Sequence, residues 1–167
     1  AKKASFIFRG RLIAEGNPER PIRFVPAKSK WGGVALQGMG TAGSRLAHVD
    51  FVAGRFPKFG LNSFPGMLNI HDTRDIGLDN VRLSGNRKSD DALHAAYVHG
   101  LKISDSRFLN VAADALDMEF STGVIDGVTG MAAGDERIDW MASSVAAKAV
   151  AFAYRECSPI VAGARTM

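Results

Sequence analysis

The sequence predicts an all-β protein, a right-handed parallel β-helix solenoid of about seven coils of 22–25 residues each. Three observations predict it. The first is a blurred repeat: Asp114-Ala115-Leu116-Asp117-Met118-Glu119-Phe120-Ser121 returns as Glu136-Arg137-Ile138-Asp139-Trp140-Met141-Ala142-Ser143. Ala92-Leu93-His94-Ala95-Ala96-Tyr97 and Met67-Leu68-Asn69-Ile70-His71 fit the same frame, so Leu68, Leu93, Leu116 and Ile138 recur at 25, 23 and 22 residues. The second is local pattern, short period-two runs rich in Val, Ile and Phe separated by Gly, Asn, Asp and Ser. The third is the lack of two-residue hairpin turns in the regular part, which leaves parallel stacking of coils as the way to pair every strand. A leucine-rich repeat has a similar coil length, but its Leu-spaced consensus ending in Asn is missing.

Element by element, Phe6-Ile7-Phe8 opens as a short strand, and Gly10 to Gly16 follows with glycines at its bends. Asn17-Pro18 marks a turn, and Pro21 to Pro26 is a brief strand closed by Pro. Lys28 to Gly33 reads as a loop, Val34 to Gln37 as a strand, Gly38 to Gly43 as a turn, and Ser44 to Val52 as an alternating segment. Gly54 to Gly66 has three aromatic residues and two Pro without a clean period and is expected to bulge from the coil as a longer loop. Beyond it each coil is expected to carry two strands: Leu68 to Ile70 with Ile76 to Leu83, Leu93 to Val98 with Leu101 to Phe108, and Leu116 to Phe120 with Gly123 to Val128. Val145 to Ala153 has helical propensity, yet its place one period after Gly123 to Val128 assigns it to strand. Trp31, Trp140 and Tyr97 share the inward phase and are expected in the core.

The 167 residues, 46% of them hydrophobic, suffice for one β-helix domain over 1–167 with a sizeable core. No apolar run reaches the length of a membrane-spanning helix, and no signal-peptide core follows Ala1-Lys2-Lys3-Ala4, whose lack of an initiator Met fits a fragment of a longer protein. Cys157 is the single Cys and reads as an apolar filler. The net charge of +4 is unevenly spread, with eleven Lys/Arg against three acids in residues 1–60 and ten against fourteen in 61–167. That split invites a polyanion, but no nucleic-acid-binding signature accompanies it, so nucleic acid is not an expected partner.

The linked order of Pro21-Ile22-Arg23-Phe24, Trp31-Gly32-Gly33-Val34-Ala35-Leu36, Gly66 to His71, Asp90 to Tyr97, Asp114 to Asp117 and Gly134 to Ser143 resembles the β-helix region that accompanies bacterial CotH-type kinase domains, of the pectin-lyase-like kind. It covers about Gly10 to Ser144 and departs from the family where Arg137 takes a Gly turn position and where Glu156-Cys157-Ser158-Pro159-Ile160-Val161 replaces a further coil. The resemblance implies the fold and an extracellular or cell-envelope location. No kinase signature is present, so kinase activity is not implied.

With Leu68, Leu93, Leu116 and Ile138 inward, Asn69, His94, Asp117 and Asp139 form one outward column, and His71, Ala96, Glu119 and Met141 a second. Stacked carboxylates at a coil spacing of about 4.8 Å raise one another's pKa or recruit a cation. Asp117, Asp139, Glu119 and His94 are the catalytic candidates, as a retaining carboxylate pair or as acids with a His base. Asn69, His71 and Asp114 are the ligand-binding candidates, Asp114 equally suiting a turn, and Asp117 with Asp139 the expected Ca²⁺ ligands, Ca²⁺ being the one cofactor suggested. The competing expectation is a plain polar ladder on a solvated sheet. Function is therefore expected to be a non-catalytic module that binds polysaccharide or cell-surface glycan or serves as a scaffold, with a polysaccharide lyase, epimerase or hydrolase as the alternative. Uncovered solenoid ends further suggest a neighbouring domain or a second copy as a partner.

Overall fold

The computed structural model describes residues 4–27, 31–55, 57–59, 62–86, 89–132 and 138–154. These form six rungs of a parallel β-solenoid. The first rung holds β1 (Phe6–Phe8), β2 (Ile13–Glu15) and β3 (Ile22–Phe24), and the second β4 (Val34–Gln37), β5 (Arg45–Ala47) and β6 (Val49–Val52). The short hairpin β7 (Lys58–Phe59) and β8 (Asn62–Ser63) then leaves the coil. The third rung is β9 (Gly66–Arg74), β10 (Gly77–Asp79) and β11 (Arg82–Ser84), and the fourth β12 (Asp91–His99), β13 (Leu101–Ser104) and β14 (Arg107–Val111). The fifth is β15 (Asp114–Glu119), β16 (Thr122–Asp126) and β17 (Thr129–Ala132), and the sixth β18 (Ile138–Met141), β19 (Ser144–Lys148) and β20 (Ala151–Tyr154). Corresponding strands pair in parallel, giving three sheets of six strands among the described residues, the first in the order β1-β4-β9-β12-β15-β18.

Six rungs make about five turns, fewer than the seven that the repeat length suggests. The reason lies in the first half. Register pairs Phe6 with Val34 and Val34 with Leu68, intervals of 28 and 34 residues, the longer of which contains the Gly54 to Gly66 excursion, which consumes chain without adding a rung. From Leu68 onward the pairing Leu68, Leu93, Leu116, Ile138 follows the sequence period. Three strands per coil replace the expected two, because each second segment breaks in the middle. Ala47, Asp79, Ser104, Asp126 and Lys148 are register neighbours, and the residue after each, His48, Asn80, Asp105, Gly127 and Ala149, has φ between 46° and 66°. The same left-handed step follows β4, β15 and β18 at Gly38, Phe120 and Ala142 and interrupts β9 and β12 at Asp72 and Tyr97. For a side chain with a Cβ this conformation costs about 1–2 kcal/mol. In the inner rungs it is held by amides that donate to the next rung, as in His48 N to Asp79 O and Asn80 N to Ser104 O, both 3.0 Å.

The inward columns form one continuous core. Val34, Leu36, Leu68, Ile70, Leu93, Ala95, Leu116 and Met118 of the first sheet are fully buried, facing the Leu46, Leu78, Ile103, Ile125 column and the Phe51, Leu83, Phe108 column. At about 25 cal/mol per Å² of apolar surface such columns are the main stabilising term. Near the first rungs Phe24 stacks on Phe51 at 5.0 Å and on Trp31 at 6.2 Å, and the buried Trp31 donates its indole N–H to Val52 O. At the sixth rung the inward phase is less covered, and Trp140 is about half exposed. Tyr97 departs from the expected core position. Its left-handed backbone turns the ring outward, where it stacks on Phe120 at 5.1 Å. Val145 to Ala153 falls in β19 and β20, as strand. No helix among the described residues is long and apolar enough to cross a membrane. The Lys28 to Lys30 segment, Asp135 to Arg137 with the Arg137 departure, and Glu156 to Val161 with Cys157 lie outside the described residues.

Candidate functional site

Register in the first sheet brings the outward columns together as the period implied. Asn69, His94, Asp117 and Asp139 are successive partners, as are His71, Ala96, Glu119 and Met141, while Gly66, Asp91 and Asp114 align three residues earlier. Their exposure changes steadily along the stack. Asn69 is fully buried and His94 6% exposed, the Asp117 and Glu119 side chains are 18% and 33% exposed, and Asp139 is open to solvent. Beside this column the buried Phe64, from the excursion before β9, packs its ring 5.2 Å from that of His71.

Asn69 is taken up by the backbone. Its Oδ1 accepts from Gly66 N at 2.8 Å, and its Nδ2 donates to Gly66 O at 2.7 Å and to Val34 O at 3.3 Å. The expected ligand residue is thus a buried clamp at the start of β9, and nothing of its amide faces a ligand.

His71 and His94 are hydrogen bonded through Nε2 and Nδ1 at 2.7 Å, with one ring donating and the other accepting. The far nitrogen of His94, Nε2, looks toward Asp117 Oδ2 at 3.6 Å and Glu119 Oε2 at 3.9 Å, beyond hydrogen-bond length. Burial, and secondarily the neighbouring His94, lowers the His71 pKa to about 4, so its ring is neutral near pH 7. Burial also lowers that of His94, with Glu119 acting in the opposite sense. Asp91 is pushed up to about 8, first by burial and then by the charges of Asp117, Asp114, Asp90 and Glu119.

The sheet therefore collects His71, His94, Asp117 and Glu119 with Asp91, and leaves Asp139 one rung above on the surface. The expected Ca²⁺ pair, Asp117 and Asp139, are register neighbours, but the ligand atoms that converge within 4.8 Å belong to Asp91, His94 and Asp117. Asp114 pairs in register with Asp91 and adds to its electrostatic load. Asp91 was hidden in sequence within the turn-like Asp90-Asp91 pair. Its offset of three residues from His94, shared by Asp114 and Asp117, was the available signal. A cavity of about 360 Å³ opens elsewhere, beside the left-handed corner between the second and third sheets. It is lined by His48, Asp50, Arg82 and Arg107, where Asp50 already binds Arg82 at 2.8 Å and Arg23 at 3.4 Å.

Family models, curated proteins and solved structures compared with the chain give no match. The parallel solenoid is the part of the CotH-type resemblance that the fold bears out.

Proposed function

We propose that the protein is a polysaccharide-binding β-solenoid module of the extracellular space or cell envelope, binding without transforming its glycan. The observation that supports this reading is the rung-by-rung emergence of Asp117, Glu119 and Asp139 on the first sheet. Spaced carboxylates at a surface are acceptor-only groups that take paired hydrogen bonds from sugar hydroxyls, which favours a hydroxyl-rich, uncharged chain over an acidic one. The half-exposed Tyr97 and Phe120 flank the Ala96 and Glu119 positions and offer apolar surface for the C–H faces of sugar rings. The CotH-type, pectin-lyase-like relationship belongs to the same proposal.

The test is calorimetric titration with a panel of neutral and acidic oligosaccharides, with product analysis of each mixture. Binding without product, weakened about tenfold or more by Tyr97→Ala with Phe120→Ala, is expected. Shortened or unsaturated product that disappears in Glu119→Gln would replace this reading by the carbohydrate-active enzyme. No binding across the panel would refute both.

A further inference from the structure

We propose that Asp91, His94 and Asp117 form a binding site for one divalent transition-metal ion of the zinc class. Each residue offers a ligand atom, and these atoms lie within 4.8 Å of one another. A tetrahedral ion with bonds of about 2.1 Å holds its ligands about 3.4 Å apart. His94 Nε2 and Asp117 Oδ2, at 3.6 Å, are already near that span, and a carboxylate rotation at Asp91 closes the remainder.

The second observation is Asp91 itself. It opens β12 and is only 3% exposed, with the like charges of Asp114 beside it in register and of Asp117 in the same cluster. Ser89 Oγ donates to its backbone oxygen, at 3.1 Å. A buried carboxylate crowded by other carboxylates is costly, and a cation shared with Asp117 offsets the cost.

The third is the surround. A metal-bound imidazole normally donates its other N–H to a fixed acceptor. With His94 Nε2 on the ion, Nδ1–H points at His71 Nε2, 2.7 Å away, and His71 is held against Phe64. Glu119, its Oε2 3.9 Å from His94 Nε2 and on the solvent side, is placed to complete the set as a fourth ligand. An imidazole in the set selects against Ca²⁺ and Mg²⁺, which take oxygen ligands, and a set without thiolate selects against Cu(I). The ion would join the fourth and fifth rungs across one ladder step. The inference shares Asp117 and Glu119 with the proposed glycan face but none of its geometry involves Asp139, Tyr97 or Phe120, and its test reads metal uptake without glycan.

The experiment is titration of the chelator-treated full chain with Zn²⁺ by calorimetry and with Co²⁺ by visible absorption. One equivalent of Zn²⁺, a Co²⁺ spectrum of four-coordinate intensity and a Zn²⁺-dependent rise in Tm are expected. Asp91→Asn and His94→Gln should each lower affinity about 100-fold or more, and His71→Gln about 10- to 100-fold. Asp126→Asn, on the second sheet, should leave affinity unchanged. Absence of stoichiometric uptake by the wild-type chain overturns the proposal, whatever the variants do. So does wild-type affinity in folded Asp91→Asn or His94→Gln.

Discussion

Replacing Asn69 separates a structural clamp from a ligand residue. In Asn69→Ala the Gly66 N–H and C=O lose their side-chain partners, and Val34 O loses a second donor, all in a fully buried setting. Leaving a buried backbone group unsatisfied costs about 1–3 kcal/mol. Two such groups, partly offset by freed side-chain entropy and by water entering the vacated space, give a loss of about 3 kcal/mol. For a chain of this size that corresponds to a fall in Tm of about 6–12 °C. Asn69→Asp should be at least as harmful despite matching in shape, because it sets a carboxylate oxygen against the carbonyls of Gly66 and Val34 where an amide now donates. The assay is urea and thermal unfolding of the wild type and both variants, followed by circular dichroism. A loss below about 0.5 kcal/mol for both would refute the clamp, and a gain in stability would instead mark Asn69 as a group kept for binding.

Two further substitutions probe the frame. Ala142 and Ala149 are exposed residues in left-handed corners, so Ala142→Gly with Ala149→Gly should relieve about 1 kcal/mol each, less about 0.5 kcal/mol of added unfolded-state entropy. A small rise in Tm is expected, and a fall would contradict the strain. At Gly33 a Cβ would run into the carbonyl oxygens of Met67 and Arg55, so Gly33→Ala should lower stability by about 1–3 kcal/mol in the same unfolding assay. An unchanged midpoint would mean that β4 and β9 do not approach so closely.

The rung spacing was legible because Leu68, Leu93, Leu116 and Ile138 sit in the innermost column, where burial enforces both apolarity and register. The outward columns follow from it by alternation alone, so His94 beside Asp117 could be placed without coordinates. The corners were hidden for a different reason: His48, Asn80 and Asp105 adopt the conformation usually signalled by Gly, and their support is an amide bond to the next rung that no local pattern records. Tyr97 was misread on the same ground, since alternation does not continue through a left-handed residue. The cover over the His71 ring comes from Phe64, a residue of an aperiodic segment whose path over the sheet is a tertiary matter. Asp91 escaped because adjacent acids before a strand look like turn chemistry.

The candidate cluster belongs to no single repeat. His71 comes from the third rung, Asp91 and His94 from the fourth, and Asp117 and Glu119 from the fifth. Rungs of a solenoid touch only their neighbours, so whole repeats can be gained or lost while the stack re-forms. Such an event between Leu68 and Leu116 would preserve the architecture and erase the cluster at one stroke. In a lineage of such proteins, shape would then be the durable inheritance and chemistry the fragile one, and two chains with the same outline could differ in whether they carry any site.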